Sequence, residues 1–144
     1  MEQVGAGSGV VGGAEAMTEA ETGDDPDRLL HILRKTLISE FRSKQPDLTL
    51  RQLAVALQVY LTDEPQTVRG LAAHLKVSKS CISRALIHFQ EAGLAYREVE
   101  LRDTRSIIVR RTERGAAMVD RLGMAMAEAA DGLGKAPLEM LTNA

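Results

Sequence analysis

Thr67-Val68-Arg69-Gly70-Leu71-Ala72-Ala73-His74-Leu75-Lys76-Val77-Ser78-Lys79-Ser80-Cys81-Ile82-Ser83-Arg84-Ala85-Leu86-Ile87-His88-Phe89-Gln90-Glu91-Ala92-Gly93 is the stretch whose reading decides the fold. Thr67 can cap a short helix over 68–75, Lys76-Val77 make a turn, and Ser78 caps a second helix over 79–92 that Gly93 stops. Two helices joined so tightly need a small residue at the crossing, a tight bend and a branched apolar residue to pack the second onto the first. Ala72, Lys76 and Ile82 occupy those three roles. Glycine is usual at such a bend because it favours φ > 0, so either Lys76 costs on the order of 1 kcal/mol there or the turn has another geometry. On the second helix Ile82, Leu86 and Phe89 recur at i, i+4, i+7 and face inward. That turns Lys79, Ser80, Ser83 and Arg84 outward, with Ile87 or His88 beside them.

Working outward, Leu29, Leu30, Ile32, Leu33, Leu37, Ile38 and Phe41 recur at helical spacing after Pro26, predicting a helix of about 16 residues that stops before Pro46. A second helix over 50–61 follows the cap Thr49 and is expected to bury Leu53, Ala54, Leu57 and Tyr60. Residues 94–100 and 106–111 read as strands joined by the polar tip Leu101-Arg102-Asp103-Thr104-Arg105. Thr112, with Glu113 in the first turn, opens a last helix through Met118, Leu122, Met126 and Ala129 to about Ala130, with Gly132 and Gly134 ending it. The expected fold class is mostly α with a small β-hairpin wing, a winged helix-turn-helix. Its expected extent is 27–131, between a disordered acidic, Gly/Ala-rich tail over 1–26 and a short C-terminal tail over 132–144.

Composition agrees with one aliphatic, helical domain: 144 residues, 44% hydrophobic, with two Phe, two Tyr and no Trp. The net charge of −2 hides an asymmetry. Residues 1–26 carry six acids (Glu2, Glu15, Glu19, Glu21, Asp24, Asp25) and no Lys or Arg, whereas 66–112 carries nine Lys/Arg against four acids. Positive charge clustered in one short segment suits a polyanion, although scattered solvated charges give the same count. Gly7-Ser8-Gly9-Val10-Val11-Gly12 matches G-x-G-x-x-G, but no strand precedes it and no βαβ unit follows, so it does not indicate a dinucleotide site. His31, His74 and His88 lack metal-ligand spacing, and no nucleophile–base arrangement or phosphate loop stands in context. No enzyme, metal or cofactor is therefore expected. The single cysteine, Cys81, precludes an intrachain disulfide, and is either a small helix residue or a redox-sensitive thiol. The start lacks a signal peptide's pattern and no run of 18 apolar residues exists, so a cytoplasmic location is expected.

Four stretches carry a family resemblance: Leu48-Thr49-Leu50-Arg51-Gln52; Leu71-Ala72 followed by Leu75; Val77-Ser78-Lys79-Ser80-Cys81-Ile82-Ser83-Arg84; and Gly93-Leu94. The wing adds Asp103-Thr104-Arg105, then Ile107 to Val109 and Thr112-Glu113-Arg114-Gly115. In order and spacing these resemble the multiple-antibiotic-resistance-regulator (MarR) family over roughly 27–131. The resemblance implies a sequence-specific regulator of transcription, more often a repressor, that binds double-stranded DNA as a homodimer joined by its first and last helices. The recognition helix, about 79–92, would enter the major groove and the wing, about 94–111, the minor groove; paired recognition helices about 34–36 Å apart would read a palindrome. The chain shows only one clear helix after Thr112, leaving dimerisation to the first helix or to a different surface.

The candidate DNA-binding residues are Ser78, Lys79, Ser80, Ser83, Arg84, His88, Arg102 and Arg105. Arg84 offers a planar fork for guanine or phosphate, or else an ion pair with Glu91 or another acid. Ser78 and Ser80 either donate to phosphates or, for Ser78, only cap the helix. Arg105 resembles the family's minor-groove arginine, with Asp103 placed to orient it. Arg97, Arg102 and Arg110 are backbone contacts or surface charges. The resemblance also raises a small lipophilic effector as a possible partner. The reading from another functional class is a protein-interaction module in which the winged helix docks a polymerase subunit or another regulator.

Overall fold

Three side-chain caps and two left-handed backbone positions set where the central helices begin and end. The computed structural model describes residues 25–135. Its elements are α1 (Pro26–Arg42), α2 (Leu50–Leu61), β1 (Gln66–Thr67), α3 (Val68–Leu75), α4 (Lys79–Ala92), β2 (Ala95–Val99), β3 (Ile107–Arg111) and α5 (Glu113–Lys135). Residues 1–24 of the expected tail over 1–26, the glycine-rich stretch within it and the segment 136–144 lie outside the described residues. Mostly helical and carrying one small antiparallel sheet, the architecture is the expected winged helix-turn-helix.

Thr49 and Gln52 form a reciprocal capping box at the start of α2. Thr67 Oγ1 accepts from the Gly70 amide at 2.9 Å at the start of α3, and Ser78 Oγ accepts from the Cys81 amide at 3.1 Å at the start of α4. The exits are equally defined. Lys76 follows α3 at φ 57, ψ 46, with the Val77 amide donating to the Ala72 carbonyl at 3.0 Å. Gly93 follows α4 at φ 74, with the Leu94 amide donating to the Phe89 carbonyl at 2.7 Å. The bend therefore has the left-handed geometry that favours glycine, and a lysine occupies it.

The described residues fall into two compact units. In the larger, residues 40–124, the core is built where α3 and α4 cross: Leu71, Ile82, Leu86 and Phe89 are essentially inaccessible, and Ala72 is buried at the crossing. Val55, Ala56 and Val59 of α2 cover this core. That departs from the expected Leu53, Ala54 and Leu57, of which the two leucines are half-buried and Ala54 is exposed, while Tyr60 is half-buried. The helix carries two apolar stripes. Leu50, Leu53, Leu57 and Leu61 form the larger-looking one, but the Val/Ala stripe lets α2 approach the core closely.

The sheet has the order β1-β3-β2, with Ala95 opposite Arg111 and Val99 opposite Ile107. Two-residue β1 pairs with β3, Gln66 opposite Val109, and so ties the entrance of α3 to the wing. So short a strand has no periodicity to betray it. The smaller unit comprises residues of α1 up to Ser39 and of α5 from Ala125. In it Ile32, Thr36 and Ala129 are buried, and the Arg28 guanidinium donates to the Ala130 carbonyl at 3.0 Å. The helix α5 runs through Gly132 and Gly134 to Lys135, past the expected end near Ala130. A glycine inside a helix costs about 1 kcal/mol, which weakens but does not by itself terminate it. Among the described residues no helix is long and apolar enough to cross a membrane.

One side chain joins three of these junctions. The Tyr60 hydroxyl donates to the Leu94 carbonyl at 2.6 Å and accepts from the Thr112 amide at 3.0 Å. Thr112 Oγ1 in turn donates to the Gly93 carbonyl at 2.7 Å and accepts from the Gly115 amide at 3.0 Å, capping α5 as expected. A Cβ at Gly115 would overlap both the Tyr60 hydroxyl and the Leu94 carbonyl. Tyr60→Phe is expected to lower stability by about 1–3 kcal/mol in urea unfolding, because it leaves half-buried backbone groups unpaired. In the same assay Lys76→Gly is expected to raise stability by about 1 kcal/mol by relieving the left-handed strain.

Candidate nucleic-acid interface

Helical geometry at about 100° per residue puts Ser80, Arg84, Ile87 and Glu91 on one face of α4, opposite Ile82, Leu86 and Phe89. All four are exposed, Ile87 at 43%. The stripe is short and mixed: a hydroxyl, a guanidinium, a branched alkyl group and a carboxylate. Lys79 is exposed beside its start, and Ser83 is half-buried on its flank. Of the alternatives at the helix's middle, Ile87 is the outward residue. His88 departs from the expectation of an open polar side chain: it is half-buried, and its Nε2 is buried without a hydrogen-bond partner among the described residues. It lies about a fifth of a turn round from the centre of Arg84's face, with its ring centroid 6.4 Å from that of Phe89.

Ser78 is a helix cap, its oxygen occupied by the Cys81 amide. Its hydroxyl hydrogen is still available to an acceptor outside the helix. Cys81 is half-buried, with its sulfur 3.8 Å from Nη1 of Arg51. Arg51 was not among the candidates; the signal for it is three-dimensional, because 30 residues separate it from Cys81.

At the wing, Asp103 Oδ1 accepts from the Arg105 amide at 3.1 Å and the Asp103 carbonyl accepts from the Ser106 amide at 2.8 Å. Asp103 thus shapes the turn through Arg105's backbone, where an orienting contact to the guanidinium was expected. Arg102 and Arg105 are exposed at the tip.

The geometry sorts the cations of this unit. Arg111 is a structural clamp: Nε donates to the Val59 carbonyl at 3.0 Å, Nη2 donates to the Thr62 carbonyl, and the guanidinium stands 5.7 Å from the centre of the Tyr60 ring. Arg110 pairs with Glu98 across the wing at 3.0 Å. Arg121 holds Glu40 through two bonds of 2.9 and 3.0 Å. Hydrogen bonding to Glu40 keeps the Arg121 guanidinium above its ordinary pKa, against the opposing cost of burial. Arg84, Lys79, Arg102 and Arg105 have no carboxylate partner among the described residues. Arg84's alternative, an ion pair with Glu91 or another acid, is therefore not formed among the described residues.

No family model matches the sequence, and no curated protein matches it. Solved structures do. The crystal structure of MarR superposes with a TM-score of 0.51 at 28% identity, covering 60% of this chain and 61% of the MarR chain. The chain is a MarR-like winged-helix protein. The transcriptional regulator Tm0710 from Thermotoga maritima matches with a TM-score of 0.62 at 15% identity, over 74% of this chain and 72% of its own. Reduced AbfR bound to DNA matches with a TM-score of 0.54 at 21% identity, over 96% and 82%. Of these neighbours Tm0710 is described as a transcriptional regulator and AbfR is seen bound to DNA. The chain spans less than two-thirds of the length of MarR itself.

In this MarR-like frame the caps and the outward face can be separated experimentally. Ser78→Ala is expected to lower stability by about 1 kcal/mol in chemical denaturation through loss of the cap. Ser80→Ala, on the open face, is expected to change stability by less than about 0.5 kcal/mol.

Proposed function

We propose that this protein is a sequence-specific regulator of transcription that binds double-stranded DNA as a homodimer and represses by occupying a promoter. The observation that carries this reading is the division of the cations. Those with structural duties are tied to carbonyls or carboxylates, whereas those on α4 and the wing tip stand exposed, with no carboxylate partner among the described residues. An exposed guanidinium on a helix that fits the major groove is the group that reads guanine O6/N7 bidentately or holds a phosphate. In this reading Arg84, Ser80, Ser83 and Lys79 serve the groove and its edges, with Ile87 in apolar contact with a base methyl and Ser78 donating to phosphate. Arg105 and Arg102 serve the wing, where a narrow minor groove attracts cations. His88, with its Nε2 buried, supports the helix and makes no base contact. The DNA complex of AbfR supports the assignment by likeness of fold.

What α1 leaves uncovered supports the homodimer. Leu29, Leu30, Leu33 and Leu37 are between 46 and 64% exposed and Phe41 is 85% exposed. A helix this apolar on its open side needs a partner surface, and a second copy supplies a self-complementary one.

The test is selection of fragmented genomic DNA on the full chain at near-physiological salt, with an Arg84→Ala, Arg105→Ala double variant in parallel. The wild type is expected to enrich a short palindrome. The double variant should lose it, with affinity down by 10-fold or more, given about 1–3 kcal/mol for a bidentate base contact. No enrichment, or retention indifferent to both arginines, would overturn the reading in favour of a protein-docking module.

A further inference from the structure

Arg51 is a cation that the helix-turn-helix and wing assignments leave without a role. It stands in the first turn of α2, exposed, with no carboxylate partner among the described residues and no acid in that turn of the helix. Its side chain extends to α4: Nη1 lies 3.8 Å from Cys81 Sγ, in the first turn of that helix. A thiol is a weak acceptor, so this contact locates the guanidinium beside α4 without satisfying it, and it uses one of five N–H donors, with no other hydrogen bond of that side chain among the described residues. Cys81 is one residue, a little over a quarter turn, round α4 from Ser80. Arg51 therefore sits beside the outward stripe and not on it. A major groove receiving that stripe is bordered on each side by a phosphate backbone, so a cation at the flank of the helix meets phosphate where the stripe meets base edges.

We infer that Arg51 is a further DNA-contacting residue, binding a backbone phosphate at the edge of the groove that α4 enters. This rests on the DNA-binding reading above and adds a residue from outside its motif. A phosphate contact carries no sequence information, so its loss weakens all duplexes alike and makes binding less dependent on salt.

The experiment is fluorescence anisotropy of the full chain on two duplexes of unrelated sequence, over about 50 to 200 mM salt, comparing wild type, Arg51→Gln and Arg51→Lys. Arg51→Gln is expected to weaken both duplexes by the same factor and to make the log–log salt slope shallower by about 0.9, so that the wild type's advantage shrinks about 3.5-fold across that range. Arg51→Lys keeps the point charge and is expected to keep the wild-type slope. An unchanged slope in Arg51→Gln, or a loss confined to one duplex, overturns the assignment while leaving DNA binding intact. Absence of salt-dependent binding by the wild type to either duplex overturns the DNA-binding reading and this assignment with it.

Discussion

The hydroxyl of Tyr60 is the point on which the larger unit turns. It bonds the residue just past the end of α4, Leu94, to the residue that opens the last helix, Thr112, and both bonds are made at the end of α2. Thr112 closes the circuit by bonding Gly93. Without this junction the exits of α2, α4 and β3 would each carry backbone groups half shut off from water, and such groups are costly when unpaired. Arg111 reinforces it by placing its guanidinium on the carbonyls at the end of α2 and near the Tyr60 ring. The wing thereby acquires a fixed root, and its tip, shaped by Asp103, can remain exposed and polar.

This arrangement explains how a chain with few aromatic residues holds a functional surface steady. The core beneath α4 is made of Leu71, Ile82, Leu86 and Phe89, close to the crossing at Ala72, and leaves the opposite face of the helix free of structural work. Hydrogen bonds and ion pairs between segments distant in the chain do the remaining alignment. Cations used for alignment and cations left exposed are consequently different residues, although they stand side by side in the sequence: Arg110 and Arg111 are tied down, while Arg102 and Arg105 a few positions earlier have no carboxylate partner among the described residues.

Most of the fold was legible in the sequence because its boundaries are written locally. Thr49, Thr67, Ser78 and Thr112 cap within three residues of themselves, and Gly93 stops α4 through its own dihedral angles. The inward face of α4 was legible for the same reason, since Ile82, Leu86 and Phe89 share one helical period. What stayed hidden depends on distance along the chain. The two-residue β1 exists only as a partner of β3, and the choice between the two apolar stripes of α2 is made by the core it meets. The burial of the His88 ring nitrogen and the approach of Arg51 to Cys81 likewise appear only after folding. Gly132 and Gly134 read as stops because glycine is common beyond helix ends, yet it stops a helix only when the backbone turns left-handed there, as it does at Gly93.

The crowding at Gly115 has a consequence for how this sequence can drift. No side chain fits at 115 while a tyrosine stands at 60 with its hydroxyl against the Leu94 carbonyl. The Leu94 carbonyl is backbone, and it blocks position 115 whatever residue stands at 60. A lineage that exchanged Tyr60 for a smaller residue would lose a hydrogen bond yet keep the pressure on the glycine, so a change at 115 would be purged on either background. Gly115 is the more constrained of the two positions, because main chain cannot be trimmed away as a side chain can.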